Sequence, residues 1–201
     1  LLPILARRLA PAHAPLALFA DVFLPQANAL VALSQSKERD EHLPVEARNL
    51  WNRHLLVWSL LPGCCATPRT VAPALRRLAP TLGDALKNPT YTVVVATALC
   101  ILVVTCRSAV EAANGTAEEP EGVGDGPEGE VKVRTFTPEE LGEAEAGMKA
   151  LTQYSKNFLP CLFNTLAAAP AEQHAALTGA IEAYVGVAPA AMRAQYFQTI
   201  L

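Results

Sequence analysis

The chain is poor in aromatic and charged side chains. Aromatic residues make up 6% of its 201 residues and charged residues 17%, whereas hydrophobic residues make up 51%. Its β-branched residues cluster in one stretch, and alanine and leucine dominate the rest. Alanine and leucine favour helices, whereas a sheet needs β-branched and aromatic residues along several strands. The composition therefore predicts one or two domains of helices packed on helices.

The chain also lacks a large net charge. A formal charge of −3 argues against the whole chain as an electrostatic nucleic-acid binder. The charge is unevenly distributed, however. Residues 1–107 carry eleven Lys and Arg against six Asp and Glu, a net of +5, whereas residues 108–136 carry −5 and residues 137–201 carry −3. The N-terminal half is therefore the part that favours a polyanion.

Few cysteines are present, and their pattern is irregular. Five cysteines with no regular spacing do not form the framework of a disulfide-rich secreted domain. The adjacent Cys64 and Cys65 could form a redox centre, a metal corner or a packed turn. No second cysteine or histidine stands at metal-ligand spacing, and the pair is not a Cys-x-x-Cys motif. The packed turn is the favoured interpretation, so we expect no metal and no cofactor.

Motifs for nucleotide binding and nucleophilic catalysis are missing as well. The sequence contains no Gly-x-Ser-x-Gly elbow, no Walker loop and no dinucleotide-binding glycine pattern. The paired carboxylates of Glu139 and Glu140 fit a helix cap and the helix dipole. We therefore expect neither an enzyme nor a small-molecule substrate.

Prolines divide the chain into short helical patterns. Apolar spacing predicts helices at about residues 2–9, 16–35 with an interruption at Pro25, 44–61, 70–87, 91–113, 137–168 with a kink or division at Pro160, 171–185 and 188–201. Between them, residues 36–42 are predicted to be a charged loop. Pro62-Gly63 is expected to end one helix and reverse the chain, and Asn88-Pro89 to cap the next.

The helix at 91–113 is ambiguous, because no charge stands between Lys87 and Arg107. The length barely permits a membrane span, and residues 91–106 would then anchor a membrane protein. A helix enclosed by neighbouring helices gives the same pattern and is favoured here. We therefore expect no membrane association.

A Leu-Pro unit recurs at Pro3, Pro25, Pro62 and Pro160. The step from Pro25 to Pro62 is close to the roughly 40-residue helix-pair repeat of HEAT and armadillo proteins. We predict an all-α fold, a HEAT/armadillo-like α-solenoid of antiparallel helix pairs. Its expected organisation is helical repeats in residues 1–113, a disordered acidic Gly/Pro/Glu-rich loop in residues 114–136, and continuing repeats in residues 137–201.

Two segments carry a resemblance to a known family. The stretches "WSLLPGCC", residues 58–65, and "KNFLPCLFN", residues 156–164, occur in this order. They resemble the HEAT-repeat ribosomal RNA processing protein 12 family. The resemblance covers roughly residues 20 to 200 and implies an internal fragment of a larger solenoid.

The resemblance also implies a function. It implies a non-enzymatic scaffold in pre-rRNA processing, maturation and nuclear export of the small ribosomal subunit precursor. The implied partners are the rRNA and assembly proteins of that particle and nuclear transport factors, in the nucleus and nucleolus. A generic HEAT or armadillo adaptor that binds only proteins stays open as the alternative.

Basic residues of the N-terminal half are the candidate site. Arg69, Arg76 and Arg77 flank one turn and, with Lys87, are predicted to contact RNA phosphates, adding affinity and salt dependence without reading sequence. The alternative is a solvated helix face. No aromatic stacking platform accompanies these residues, so base recognition is not expected.

Overall fold

The computed structural model describes residues 14–39, 43–114 and 136–200, and all regular structure in these ranges is helical. Eight helices follow one another here: α1 (Pro15–Glu38), α2 (Pro44–Trp58), α3 (Leu61–Cys64), α4 (Val71–Leu86), α5 (Thr92–Ala113), α6 (Pro138–Ala168), α7 (Ala171–Val187) and α8 (Ala190–Ile200). The predicted all-α fold is confirmed.

The helices form pairs that stack on one another. The pairs are α1 with α2, α4 with α5, and α6 with α7. The start of α1 packs on α4, and α4 packs on α6, so the first helices of the pairs form one layer. In the second layer α5 packs on α7. Stacked helix pairs that mainly contact their neighbours are the architecture of an α-solenoid, as predicted.

The core lies between the two layers. In α4 the apolar residues Val71, Leu75, Leu78 and Leu82 recur at helical spacing and are buried, with at most 1% of each residue exposed. Leu99 and Leu102 of α5 and Leu151 and Leu162 of α6 complete the contact from the facing helices. This helical spacing is what the sequence predicted for α4.

The predicted interruption at Pro25 is wrong, because α1 continues to Glu38. A π-helical turn at Phe19–Phe23 precedes the proline, and the Leu24 N–H donates to the Phe19 carbonyl. Proline has no amide proton, and its ring needs space in the preceding turn. The widened turn provides that space without ending the helix.

The chain reversal expected at Pro62-Gly63 is also misplaced. Helix α2 ends at Trp58, and Pro62 and Gly63 lie inside the short helix α3. The left-handed residue of this corner is Thr70, with φ of 55°, immediately before α4. Proline is well suited to a first helical turn, where its missing donor is not needed, so it starts α3 instead of ending α2.

Asn88 does not cap α5 as predicted, because α5 begins at Thr92 after the N-cap residue Tyr91. The side-chain oxygen of Asn88 instead accepts the Thr90 N–H at 3.0 Å. The Thr92 hydroxyl donates to the carbonyls of Leu86 (2.9 Å) and Asn88 (3.0 Å). Asn88 therefore forms a turn of its own between the helices, a common alternative use of this residue type.

Helix α6 begins as predicted and is not divided. Thr137 and Glu140 form a reciprocal capping box: the Glu140 N–H donates to the Thr137 hydroxyl at 3.2 Å, and the Thr137 N–H donates to the Glu140 carboxylate at 3.0 Å. Pro160 lies within one continuous helix that ends at Ala168.

Two helices in the described part of the chain, Pro15–Glu38 and Thr92–Ala113, are long and apolar enough to span a membrane by length and composition. An enclosed core helix meets the same criterion. In α5, Val95, Leu99 and Val103 are fully buried against neighbouring helices, whereas α1 leaves Leu18 and Leu33 exposed. The packing of α5 therefore favours the enclosed-helix interpretation of its apolar run.

An aromatic cluster joins the first two helix pairs. The Trp58 ring of α2 stacks on Tyr91 with 4.8 Å between centroids and meets the edge of Phe19 from α1 at 6.0 Å. His54 Nδ1 donates to the Ala27 carbonyl at 2.8 Å, and the Tyr91 hydroxyl donates to His54 Nε2 at 2.8 Å. A carbonyl can only accept, so these two contacts fix the neutral tautomer of His54.

Three predictions lie outside the described residues. They are the helix at 2–9, nearly all of the acidic loop at 114–136, and the last part, residues 40–42, of the charged loop at 36–42.

Candidate nucleic-acid interface

One side of α4 faces solvent along its whole length. The exposed positions are 73, 76, 77, 80, 84 and 87, which recur every three or four residues. Arg76 and Arg77 lie near the start of this stripe, and Lys87 lies at its end, just past the last residue of α4. At 1.5 Å per residue, Arg77 and Lys87 are about 15 Å apart along the helix axis. The structure therefore places three of the four predicted cations on one face.

Arg76 and Arg77 differ in their surroundings. Arg77 forms an ion pair with Asp21 of α1, and both side chains are about half exposed. Within the described part of the chain, Arg76 has no ion-pair partner and faces solvent. Exposed pairs contribute little to stability, so the Arg77 guanidinium exchanges Asp21 for another anion at low cost. Arg76 needs no such exchange.

Lys87 pairs with Asp84 on the same stripe. Its Nζ lies 3.1 Å from Oδ1 of Asp84, and 66% of the Lys87 side chain is exposed. The hydrogen bond and charge of Asp84 raise the pKa of Lys87 above its ordinary value, so this side chain is cationic at neutral pH. Asp84 is also the one carboxylate among the exposed stripe positions. It would repel a phosphate placed between the two ends of this stripe.

Arg69 stands apart from the other three. It lies in the turn before α4, and its side chain is only 28% exposed. Its Nε is 3.6 Å from Oε1 of Glu140, the residue that caps α6. This ion pair ties the start of α4 to the start of α6. Arg69 therefore has a structural partner that competes with any phosphate.

Two further cations lie on the neighbouring helix of the same layer. Lys149 and Lys156 are exposed on α6, seven residues and two helical turns apart. A groove of about 330 Å³ runs between α4 and α6, lined by Lys87, Asn157 and Tyr154 among others. The net negative charge of residues 137–201 concealed this pair in the sequence. The spacing of seven residues between the two lysines, which places them on one side of a helix, was the sequence signal that could have identified the pair.

The cysteines are reduced, and three of the five are buried. All five are free; Cys65 and Cys106 are fully buried, and Cys64 is 2% exposed. Burial raises the pKa of Cys64 to about 11 and that of Cys106 to about 12, so both are thiols at neutral pH. In the described ranges no three His, Cys, Asp or Glu side chains converge on a metal position.

A sequence profile of the family described as "Ribosomal RNA-processing protein 12, HEAT repeats" matches residues 1–168. This chain belongs to that family. No curated protein and no solved structure matches the chain.

The ribosomal RNA-processing protein 12 match includes both diagnostic segments, and the structure shows how they are used. Trp58 and Leu61 of the first segment are buried at the corner between α2 and α4. Phe158 and Leu159 of the second are buried, and the Phe158 ring lies 5.7 Å from the ring of Tyr184 on α7, whereas Asn157 is exposed beside the groove. The apolar members of the signature therefore hold helix pairs together, and its polar members lie on the surface.

Proposed function

We propose that this chain is a non-enzymatic scaffold segment of a ribosome-biogenesis factor. It acts in pre-rRNA processing, maturation and nuclear export of the small ribosomal subunit precursor, in the nucleolus and nucleus. Its partners there are the rRNA and assembly proteins of the particle, together with nuclear transport factors. Membership of the ribosomal RNA-processing protein 12 HEAT family is the observation that carries the proposal.

In this proposal, the exposed side of α4 contacts RNA phosphates. Arg76, Arg77 and Lys87 supply the positive charge, and Lys149 and Lys156 extend it onto α6. Arg69 remains a predicted contact that must first leave Glu140. Side chains on a helix surface that bind phosphates position the protein on RNA without reading bases. Binding of this kind weakens steeply with salt because counterions are released.

The proposal is tested by removing the charge on one face. We compare the triple variant Arg76→Gln, Arg77→Gln, Lys87→Gln with a control that loses three exposed arginines elsewhere, Arg48→Gln, Arg53→Gln, Arg193→Gln. For a mixed-sequence single-stranded RNA, affinity falls with salt, and the loss of three phosphate contacts makes this dependence less steep. The magnitude of the slope of log affinity against log salt should decrease by about 2. The control should retain the slope of the unchanged chain.

Recovery of RNA after crosslinking in cells provides the second measurement. The unchanged protein should recover small-subunit precursor RNA, and the α4 variant should recover several-fold less. If the unchanged protein recovers no precursor RNA, the ribosomal role is contradicted. If the unchanged protein and the α4 variant recover equal amounts, only the α4 contact is contradicted.

A protein-only adaptor is the second candidate, and one observation favours it. Three of the four predicted RNA-binding cations already pair with carboxylates of the same chain: Arg69 with Glu140, Arg77 with Asp21, and Lys87 with Asp84. Such pairing is typical of a solvated helix face. An unchanged salt slope in the α4 variant, together with co-purifying assembly proteins, would support this candidate.

A further inference from the structure

A cavity of about 330 Å³ lies where the first helix pair meets the second. Its wall includes the rings of His54, Trp58 and Tyr91, which are buried or half-buried. Its rim includes the exposed side chains of Asn28, Asp84 and Asn88, from α1, α4 and the turn after α4. A shallow, open cavity thus lies over the rings and is bordered by polar groups.

The rings are held in place before any ligand arrives. Trp58 and Tyr91 stack on each other, and His54 joins the Tyr91 hydroxyl to the Ala27 carbonyl through two hydrogen bonds of 2.8 Å. Three elements therefore fix the wall. A ligand binding here does not have to order these side chains, which lowers the entropy cost of association.

The charge of the cavity lining is negative. Among the described lining residues, Asp84 carries the only charge. One of its oxygens pairs with Lys87, but that pair is exposed and weak. An ionised carboxylate accepts several hydrogen bonds, so Asp84 can bind a second cation beside Lys87. The side-chain amides of Asn28 and Asn88 flank it with both donors and acceptors.

These features exclude an RNA base or phosphate and favour a basic side chain. The lining offers a phosphate no cation, and Trp58, 5% exposed with one face against Tyr91, has no open face for a base. A Lys or Arg side chain instead packs its aliphatic stem on the rings and holds its charge at the rim. Asp84 pairs with this charge at the rim.

We propose that this cavity binds a Lys or Arg side chain from an extended segment of a partner protein. Asp84 pairs with the cationic head, the rings of Trp58 and Tyr91 line the stem, and the amides of Asn28 and Asn88 bind the backbone of the segment. Because the cavity joins two helix pairs, an occupied site also ties those pairs together. The inference uses neither Arg76 nor Arg77 and does not depend on RNA contact.

The test uses the complete 201-residue chain and two peptides. Each is a nine-residue Gly/Ser peptide with either arginine or citrulline at its centre, since citrulline has the same shape without the charge. Binding is followed by the NMR signal of the Trp58 indole, assigned with Trp51→Phe. The arginine peptide should bind about tenfold more tightly, the difference expected when a charge-assisted hydrogen bond is lost.

Two matched variants show whether Asp84 is responsible. Asp84→Asn should weaken binding of the arginine peptide about tenfold. Glu46→Gln, which removes the same charge from an exposed position of α2, should leave it unchanged. Equal binding of the two peptides, or an unchanged affinity in Asp84→Asn, would overturn the proposal. So would an oligouridine that shifts the Trp58 signal while the arginine peptide does not.

Discussion

At the residue scale, His54 links three elements and is held neutral. It is 2% exposed and bonds to the Ala27 carbonyl and the Tyr91 hydroxyl. Burial lowers the pKa of His54 below 6.5, and the hydrogen bond to Ala27 only partly opposes this shift. The unfolded chain therefore takes up a proton at this residue at a higher pH than the folded chain does.

This difference makes stability depend on pH. Above about pH 6.5 His54 is neutral in both states and its stabilising contribution is complete. As the pH falls from 7 towards the lower folded pKa, protonation of the unfolded chain reduces the free energy of unfolding. We expect His54→Gln to be less stable at pH 7.5 and to lose less stability between pH 7.5 and 5.5.

Chemical denaturation at a series of pH values measures this effect. The exposed His174, replaced by Gln, is the control and should retain the pH dependence of the unchanged chain. An equal pH dependence in His54→Gln would show that another group causes it.

Single residues also show which features a local sequence pattern can predict and which it cannot. The exposure of Arg76 and Arg77 follows from their positions off the apolar stripe of α4, so a local pattern predicts it. The pairing of Arg69 with Glu140 joins two segments that are distant in the sequence. No local pattern encodes such a contact. The aromatic cavity has the same origin, because its lining comes from four separate segments.

At the scale of elements, helices with a strong local signal were predicted closely. The stripe of α4 and the capping box of α6 are short-range patterns, and both are confirmed. The errors at Pro62 and Asn88 share one cause, whereas Pro25 lies within α1 after a π-helical turn. Proline can break a helix or start one, and asparagine can cap a helix or form a turn. Packing of the neighbouring helices decides between them.

Helix α6 approaches α4 and α5 closely at Gly147. A Cβ at this position would lie 2.9 Å from Sγ of Cys106 on α5 and 3.2 Å from Cβ of Val71 on α4. Gly147→Ala should destabilise the chain by about 1–3 kcal/mol, because a methyl group forces apart helices that are already in contact. Equilibrium unfolding in denaturant measures the change.

Gly142 is the matched control on the same helix. A Cβ there meets nothing within 4 Å, so Gly142→Ala should stabilise the chain by about 0.5–1 kcal/mol through helix propensity alone. If Gly147→Ala also stabilises the chain, helix propensity outweighs the close approach at Gly147.

At the scale of the whole molecule, each helix pair contacts mainly the adjacent pairs. The first pair meets the second through the start of α1, which packs on α4, and through the aromatic cluster at Tyr91. The second pair meets the third over the longer contacts of α4 with α6 and of α5 with α7. In such arrays, local stability is a sum of unit and interface contributions, so a defect spreads mostly to adjacent units.

This architecture predicts an uneven response to a core defect. Phe19 is fully buried and contacts Trp58, so Phe19→Ala should destabilise the first helix pair by about 3–5 kcal/mol. Hydrogen exchange should then accelerate in α1 and α2, while α6 and α7 keep their protection. Leu162→Ala, a buried residue of α6, should accelerate exchange in α6 and its neighbours. Equal acceleration in all helices after Phe19→Ala would instead mean that the chain unfolds as one cooperative unit, with junction contacts as strong as those inside each pair.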